Sequence, residues 1–494
     1  MMHPGFLSAA SDRYYENLVN RIYKSLYELQ ILVELPDKAL ICDFVSKTAA
    51  GYLEDKASDF GVWNAFVTLH ERRYGKPLPF YDIPEGQYEM DTIHVEDVRF
   101  MVWMAFNMIA NRNNVFLSPR TPANKIMADT VYRILYEEWE KAPEAIRITN
   151  YLQKSLAASD WLTQREVASW LSLNCYLTCV PELFDHINRS EGRDGVSKEK
   201  YQYAQIAMAA TSTLLRPLGL APSEYMAVMA ERAGYEKNAA LWKSMEYYGL
   251  SFYHVVSVGK ESACLETVTR LSKFSPCIGE KVELALESLQ PGYKGVNEGK
   301  YIMCTLVKWN GRCELNGMMM STEDKATFEN EAQFPQMTRE QLEAMKERTL
   351  KFIDKNGGDR FVYFENWSQL FDFFEIPEGI RPKKREKPME KCGLTCYIAD
   401  EGNQAISLVA GPFLKDSRNP FYDEAKASGP GAIMSLFISD KGLSHEGALY
   451  AAKHGLLADG NIGAPGGDTV QGKALFEANK FFIIDFYNSM FEAL

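Results

Sequence analysis

YIMCTLVKWNGRCELNGM, residues 301–318, alternates apolar and polar side chains on both sides of the pair Asn310-Gly311. Asn-Gly favours a tight type I′ turn, because both residues tolerate positive φ and the twist of this turn matches that of paired strands. The stretch therefore predicts a β-hairpin and places a sheet in the second half of the chain. The predicted register pairs Trp309 with Arg312, Lys308 with Cys313 and Leu306 with Leu315.

The chain before the hairpin has a helical period instead. Apolar residues from Leu18 to Val33 recur at three- and four-residue steps, which places them on one face of a helix that ends before Pro36. Further helices are predicted at 98–110, 128–141, 165–184, 201–215, 222–233 and 280–289. This pattern predicts a helical domain over residues 1–290, a bundle or short solenoid, with a possible subdivision near 188–198.

The chain after the hairpin mixes both periods. Strands are predicted at 361–364, 394–399, 405–409 and 433–439, and helices at 337–354, 366–374, 444–457 and 472–491. Together with the hairpin, these segments predict an α+β domain over residues 291–494, with helices against a largely antiparallel sheet. The fold class expected for the whole chain is α+β.

Composition excludes several classes of protein. Of 494 residues, 46% are hydrophobic and 24% are charged, as in globular proteins with more than one core. The net charge of −12 is spread along the chain, which disfavours broad nucleic-acid or anionic-membrane surfaces. The N-terminal residues lack a secretory signal and the apolar run near 100–109 is too short to span a bilayer, so a cytoplasmic location and reduced cysteines are expected.

A glycine-rich segment near the C-terminus imitates a phosphate-binding loop. Residues 467–473 have the Gly-x4-Gly-Lys spacing, but Ala474 replaces the hydroxyl residue that would bind Mg²⁺, and the preceding segment has a loop composition. A nucleotide-binding loop is therefore not predicted. Whether the loop 460–473 binds a simple anion stays open.

A possible catalytic cluster consists of four polar residues in the second half. Asp416, Arg418, Asp440 and His445 fall in or near predicted loops, where functional groups often lie. They form the alternative hypothesis of an enzyme with an unfamiliar carboxylate and histidine site. The simpler interpretation of that region is that Ser444 caps the following helix.

A second candidate is the basic segment 381–391. Lys383, Lys384, Arg385 and Lys387 lie between proline residues and give the alternative hypothesis of a nucleic-acid-binding loop. The cysteine pair at 175 and 179 lies in an apolar segment and is expected to be buried, and the cysteines at 392 and 396 lie too far apart on an extended segment for one ion. No metal site and no cofactor are predicted.

Three segments, 364–367, 415–423 and 436–443, resemble an uncharacterised bacterial family known only as a domain of unknown function. The likeness is clearest over the C-terminal 200 residues, and it implies a bacterial cytoplasmic protein without transferring any site residue. Standard hydrolase, zinc-protease and dinucleotide-binding motifs do not occur, which favours a protein without enzymatic activity. The resulting hypothesis is a noncatalytic protein-interaction or regulatory module, whose helical half presents a groove to a protein partner or to a second copy of the chain.

Overall fold

The structure is a computed structural model. It describes residues 3–32, 37–84, 86–110, 116–189, 198–289, 295–323, 334–382, 392–400, 402–429, 431–458, 460 and 469–491. Among these residues, no helix combines the length and the apolar character that a membrane crossing requires.

The N-terminal half is helical up to Ser244. Its helices are α1 (Asp12–Tyr27), α2 (Lys38–Ser58), α3 (Val62–Tyr74), α4 (Val95–Ala110), α5 (Pro122–Glu138), α6 (Ile146–Ala157), α7 (Trp161–Leu173), α8 (Pro181–Arg189), α9 (Lys198–Ser212), α10 (Pro222–Arg232) and α11 (Glu236–Ser244). Helix α1 buries one face, formed by Tyr15, Leu18, Ile22 and Leu26, whereas α2 is buried around most of its circumference. The prediction of a helical N-terminal half is confirmed.

Two of the helices predicted before residue 290 are wrong in part or in full, and the helix predicted at 472–491 is divided at residues 478–479. The segment 165–184 divides into α7 and α8, because Asn174 leaves the helical conformation and Pro181 begins a new helix. The segment 280–289 forms a strand and a short 3-10 turn instead of a helix. Val282 and Leu284 fit the period of a strand, whereas Val282, Leu286 and Leu289 fit one face of a helix. Pairing with the neighbouring strand decides between the two.

Five strands between residues 246 and 322 form a closed barrel. The strands are β1 (Glu246–Val258), β2 (Ser262–Arg270), β3 (Lys281–Ala285), β4 (Tyr301–Trp309) and β5 (Arg312–Thr322), in the order β1-β2-β3-β5-β4. Neighbours are antiparallel except for β3 and β5. The predicted hairpin is β4-β5, and its register is confirmed at all three predicted pairs. The first three strands precede residue 290. The division of the chain into two domains at that residue remains a prediction.

The hairpin turn provides a first test of the fold. Gly311 has φ of +78° and open space around its α-carbon, so valine in its place would be strained only through the backbone. We expect Gly311→Val to lower the free energy of unfolding by about 1 to 3 kcal/mol, measured by urea denaturation. Gly379→Val is the control, because Gly379 is equally open but lacks positive φ. An equal decrease in the free energy of unfolding of the two variants would contradict the type I′ turn.

A second, smaller sheet of three strands follows the barrel in the chain. Its strands β6 (Phe361–Phe364), β7 (Leu394–Ile398) and β8 (Gln404–Ser407) are antiparallel and pack with α12 (Arg339–Lys355) and α13 (Trp367–Phe373). These elements confirm the predicted strands at 361–364, 394–399 and 405–409, and with the barrel they confirm the α+β class.

The C-terminal region returns to the helical half. It contains α14 (Glu424–Ala427), α15 (Gly431–Ile433) followed by a π-helical turn (Met434–Ile438), α16 (His445–Lys453), α17 (Thr469–Glu477) and α18 (Lys480–Phe491). The predicted strand 433–439 is therefore wrong, because its apolar run is buried in the main core against α18. In α18, Phe482 and Phe486 pack on Trp103 of α4.

Candidate functional site

A cavity of about 730 Å³ lies between α1, α2 and the segment that joins α7 to α8. Its wall includes half-buried and buried aromatic side chains from α2, α7, α8 and the segments that follow α2 and α7, namely Phe44, Phe60, Trp170, Tyr176 and Phe184. Buried Thr48, Leu173 and Cys175 complete the floor. The volume falls in the range of about 300 to 1,000 Å³ that is usual for binding pockets.

A glycine on α2 fixes one wall of this cavity. A β-carbon on Gly51 would lie 2.6 Å from the β-carbon of Tyr176, so only glycine lets the segment after α7 pack this closely on α2. The Tyr176 hydroxyl then donates a hydrogen bond to Asp55 Oδ2 over 2.7 Å. The close approach and this bond position the cysteine-bearing segment 174–180 along the cavity.

The floor of the cavity contains a buried ion pair. His3 Nε2 lies 3.2 Å from both carboxylate oxygens of Glu54, and Nδ1 lies 3.6 Å from Asp12 Oδ1. Burial lowers the pKa of His3, but the bond to Glu54 and the charges of Glu54 and Asp12 outweigh it, so the pKa is raised. This cluster could hold a proton or a metal ion.

Exposed and half-buried acidic residues surround the mouth. Glu16, Asp43 and Asp185 line the cavity together with a single lysine, Lys47, which donates to Asp43 over 2.8 Å. Asp185 lies 3.6 Å from Arg189 of its own helix. Counting Glu54, the lining has four carboxylates against Lys47 and His3, so the cavity favours a cationic ligand.

The cysteine residues of the cavity are weak nucleophiles. Burial raises the pKa of Cys175 to about 11 and that of Cys179 to about 12, so both thiols stay protonated at neutral pH. Both are free thiols, and Cys175 is fully buried as predicted, whereas Cys179 is half-buried. The cavity therefore does not favour nucleophilic attack by a thiolate at neutral pH.

Residues 1–261 match the model of a family described as a protein of unknown function, DUF3843. The chain belongs to this family. All residues that line the cavity fall within the DUF3843 match. The expected membership of an uncharacterised family is confirmed, although the match covers the N-terminal half and the resemblance rested on C-terminal segments. No curated protein and no solved structure matches the chain.

The four residues predicted as a catalytic cluster contact two different sets of partners. Arg418 Nη2 donates to Asp416 Oδ2 over 2.6 Å, and the Tyr363 hydroxyl donates to the same oxygen over 3.0 Å. His445 instead pairs with Asp485 on α18, and Asp440 lies in an exposed turn. The Ser444 side chain accepts from Gly447 N, which confirms the predicted cap. The enzyme hypothesis at these residues stays a prediction.

The basic candidates cannot be placed. Lys383, Lys384, Arg385 and Lys387 lie outside the described residues, as does most of the glycine-rich loop 460–473. The nucleic-acid hypothesis and the anion hypothesis therefore remain predictions.

Another buried carboxylate of the helical half has a perturbed pKa but a structural role. Burial raises the pKa of Asp97 to about 6, and its oxygens accept from the hydroxyls of Tyr52 and Tyr88. Asp97 is fully buried, so it serves to join α4 to α2 and not to contact a ligand.

Sequence reasoning missed the buried cluster of the cavity floor. His3 and Glu54 are separated by 51 residues, and no local spacing relates them. Glu54 itself gave no clear signal, because the charged residues Asp55 and Lys56 follow it directly in α2. Buried carboxylates need a partner, but the sequence does not say which partner it is.

Proposed function

We propose that this protein is a noncatalytic interaction module that takes a basic, partly apolar segment of a partner protein into the cavity between α1, α2 and α8. The observation that carries the proposal is the combination of aromatic walls and an acidic mouth. An arginine or lysine side chain has an apolar stem and a charged head, and such a lining suits both parts.

An unpartnered acceptor inside the cavity supports this ligand class. Asn174 lines the cavity, and its Oδ1 is buried without a hydrogen-bond partner among the described residues. A buried acceptor left unpaired costs about 1 to 3 kcal/mol, which an N–H donor of the ligand would recover. Guanidinium groups and peptide backbones both supply such donors.

The charge of the chain argues for a different protein as the partner. The net charge is −12, and the mouth of the cavity is acidic, so a second copy would meet like charge at this surface. A basic segment of another protein would be attracted to it. An apolar side chain next to the basic residue of the bound segment would be buried against the aromatic wall, and this contact would give specificity for the sequence of that segment.

A matched peptide library tests the proposal. Labelled octapeptides that place arginine between apolar residues would be compared with the same peptides carrying glutamate, using fluorescence polarisation with the full-length protein. We expect binding in the arginine series that weakens with salt, because the mouth charges are partly exposed. Equal binding of both series, or binding only of small organic amines, would contradict a peptide-binding role.

Charge removal at the mouth should weaken this binding. Partly exposed charge pairs are worth up to about 1 kcal/mol each, so Glu16→Gln combined with Asp185→Asn should raise the Kd of an arginine peptide about tenfold. Glu343→Gln combined with Glu347→Gln is the control, because both are exposed acidic residues on α12, away from the cavity. An equal change in the control would show that only the net charge matters.

A further inference from the structure

Two atoms of the buried cluster lack hydrogen-bond partners among the described residues. His3 is 5% exposed, and neither its Nδ1 nor Asp12 Oδ1 makes a hydrogen bond of normal geometry, although the two atoms face each other at 3.6 Å. The Leu7 carbonyl contributes to the raised pKa of His3 without completing such a bond. Buried polar atoms are nearly always paired, so this arrangement requires an explanation.

We infer that His3, Asp12 and Glu54 form a binding site for a divalent first-row transition-metal ion at the floor of the cavity. One ring nitrogen of His3 and one carboxylate oxygen from each acid all lie within 4.8 Å of one another. Metal bonds of about 2.0 to 2.2 Å place neighbouring ligands about 3.3 Å apart in a tetrahedral site. Glu54 lies at Nε2 and Asp12 at Nδ1, so the His3 ring must also turn one nitrogen towards both carboxylates to bring all three ligands onto one ion.

The ligand types define the class of ion. One imidazole and two carboxylates suit Zn²⁺, Mn²⁺ or Fe²⁺, whereas soft ions such as Cu⁺ prefer thiolates. The nearby Cys175 thiol is protonated at neutral pH and is not needed as a ligand. Three protein ligands leave a coordination position open, and His3 and Glu54 line the cavity, so this position is reached from the cavity.

Charge balance also favours an ion at this place. Glu54 is 2% exposed, and one of its carboxylate oxygens lies within 4.8 Å of a carboxylate oxygen of Asp12. Neutral His3, which is the form that binds a metal, would leave two carboxylates facing each other at the cavity floor. A divalent ion would neutralise them, whereas without it a proton on His3 must do so.

Titration with Co²⁺ tests the site directly. The full-length protein, freed of metal by a chelator, would be titrated with Co²⁺ at mildly alkaline pH and followed by absorption spectroscopy. We expect saturation at one ion per chain, with d–d bands and without the charge-transfer bands that thiolate ligands produce. Thiolate bands, or no saturable binding, would overturn the inference.

Substitutions distinguish a coordination role from a structural one. His3→Gln and Asp12→Asn should each weaken Co²⁺ binding by about 100-fold or more, because the loss of a ligand costs at least as much as the roughly 10- to 100-fold loss for a residue that only supports a ligand. Asp12→Asn is the milder variant, because asparagine can still accept from Ala9 N and Glu54 keeps its His3 partner. His186→Gln, an exposed histidine on α8, is the control. Unchanged affinity in a folded Asp12→Asn variant would overturn the inference.

The pH dependence gives an independent measure. The groups that face His3 are Glu54 and Asp12, with Tyr15 near Glu54, and of these groups His3 is the one that must lose a proton before it can bind the metal. Below the pKa of His3, the Kd for Co²⁺ should therefore rise about tenfold for each unit by which the pH falls. A Kd that does not change in this range would contradict coordination by His3. Neither result depends on peptide binding, so this site and the proposed function can fail separately.

Discussion

Trp309→Ala is expected to lower the free energy of unfolding by about 3 to 5 kcal/mol, the usual cost of emptying a buried tryptophan site. Trp309 of β4 packs against Trp161 of α7 and Trp242 of α11, with ring centroids 5.5 and 5.1 Å away. All three rings are at most 1% exposed. Their contact joins the barrel to the helical half, so its loss affects both.

The measurement is urea denaturation followed by far-ultraviolet circular dichroism, which does not depend on tryptophan fluorescence. Trp367→Ala is the control, because Trp367 is half-buried at the start of α13 and should cost only about 1 kcal/mol. If Trp309→Ala were no more destabilising than the control, the barrel would not be held to the helical half through this cluster.

Asp485→Asn is expected to cost about 2 to 3 kcal/mol, because it removes a buried charge that serves three partners. Asp485 on α18 is 2% exposed and accepts from Arg73 Nε over 2.9 Å and from the Tyr74 hydroxyl over 2.5 Å. His445 Nε2 lies 2.7 Å away. The cost stays below that of a fully buried ion pair, since Arg73 is 37% exposed and can regain water.

This stabilisation should depend on pH with a defined sign. Burial raises the pKa of Asp485, but the bond to His445, the charge of Arg73 and the bond to Tyr74 outweigh it and leave the pKa lowered. The contribution is therefore complete above the unfolded-state value of about 3.9 and is lost as the pH falls towards the folded-state pKa.

The wild-type protein and Asp485→Asn should consequently differ most at neutral pH and converge under acid conditions. Thermal unfolding over a pH series measures this difference. Asp359→Asn is the control, because Asp359 pairs with Arg418 at a site 46% exposed and should change little. A difference that grows as the pH falls would contradict a lowered pKa for Asp485.

The hairpin shows what the sequence could predict about the fold. Asn310 and Gly311 encode their own positive φ, so the turn and its register follow from local chemistry alone. The segment 280–289 and the segment 433–439 do not carry such a signal. Their apolar residues fit either period, and tertiary pairing or burial decides which structure forms.

The candidate site was beyond sequence reasoning for a related reason. Its floor unites His3, Asp12 and Glu54, which are brought together by the packing of α1 on α2 and by the position of the segment before α1. The residues that the sequence did favour, such as Asp416 and His445, are polar groups in or beside loops, and the structure gives each of them an ionic partner. A search for polar residues in or beside loops therefore found residues that form ion pairs within the fold, and it did not find the cavity.

The cavity itself can be filled without changing its charge. Val19 lines the wall from α1 and is half-buried, so Val19→Phe would occupy space that a ligand needs. Because the added ring enters an existing cavity, the fold should tolerate it.

Hydrogen–deuterium exchange with the best-binding arginine octapeptide tests the central claim most directly. Peptide binding at the cavity should slow exchange in α1, α2 and residues 174–189 of the wild-type protein, and Val19→Phe should abolish that protection. Protection confined to the region around Asp416 and His445, or none in α1 and α2 at saturating peptide, would contradict the account.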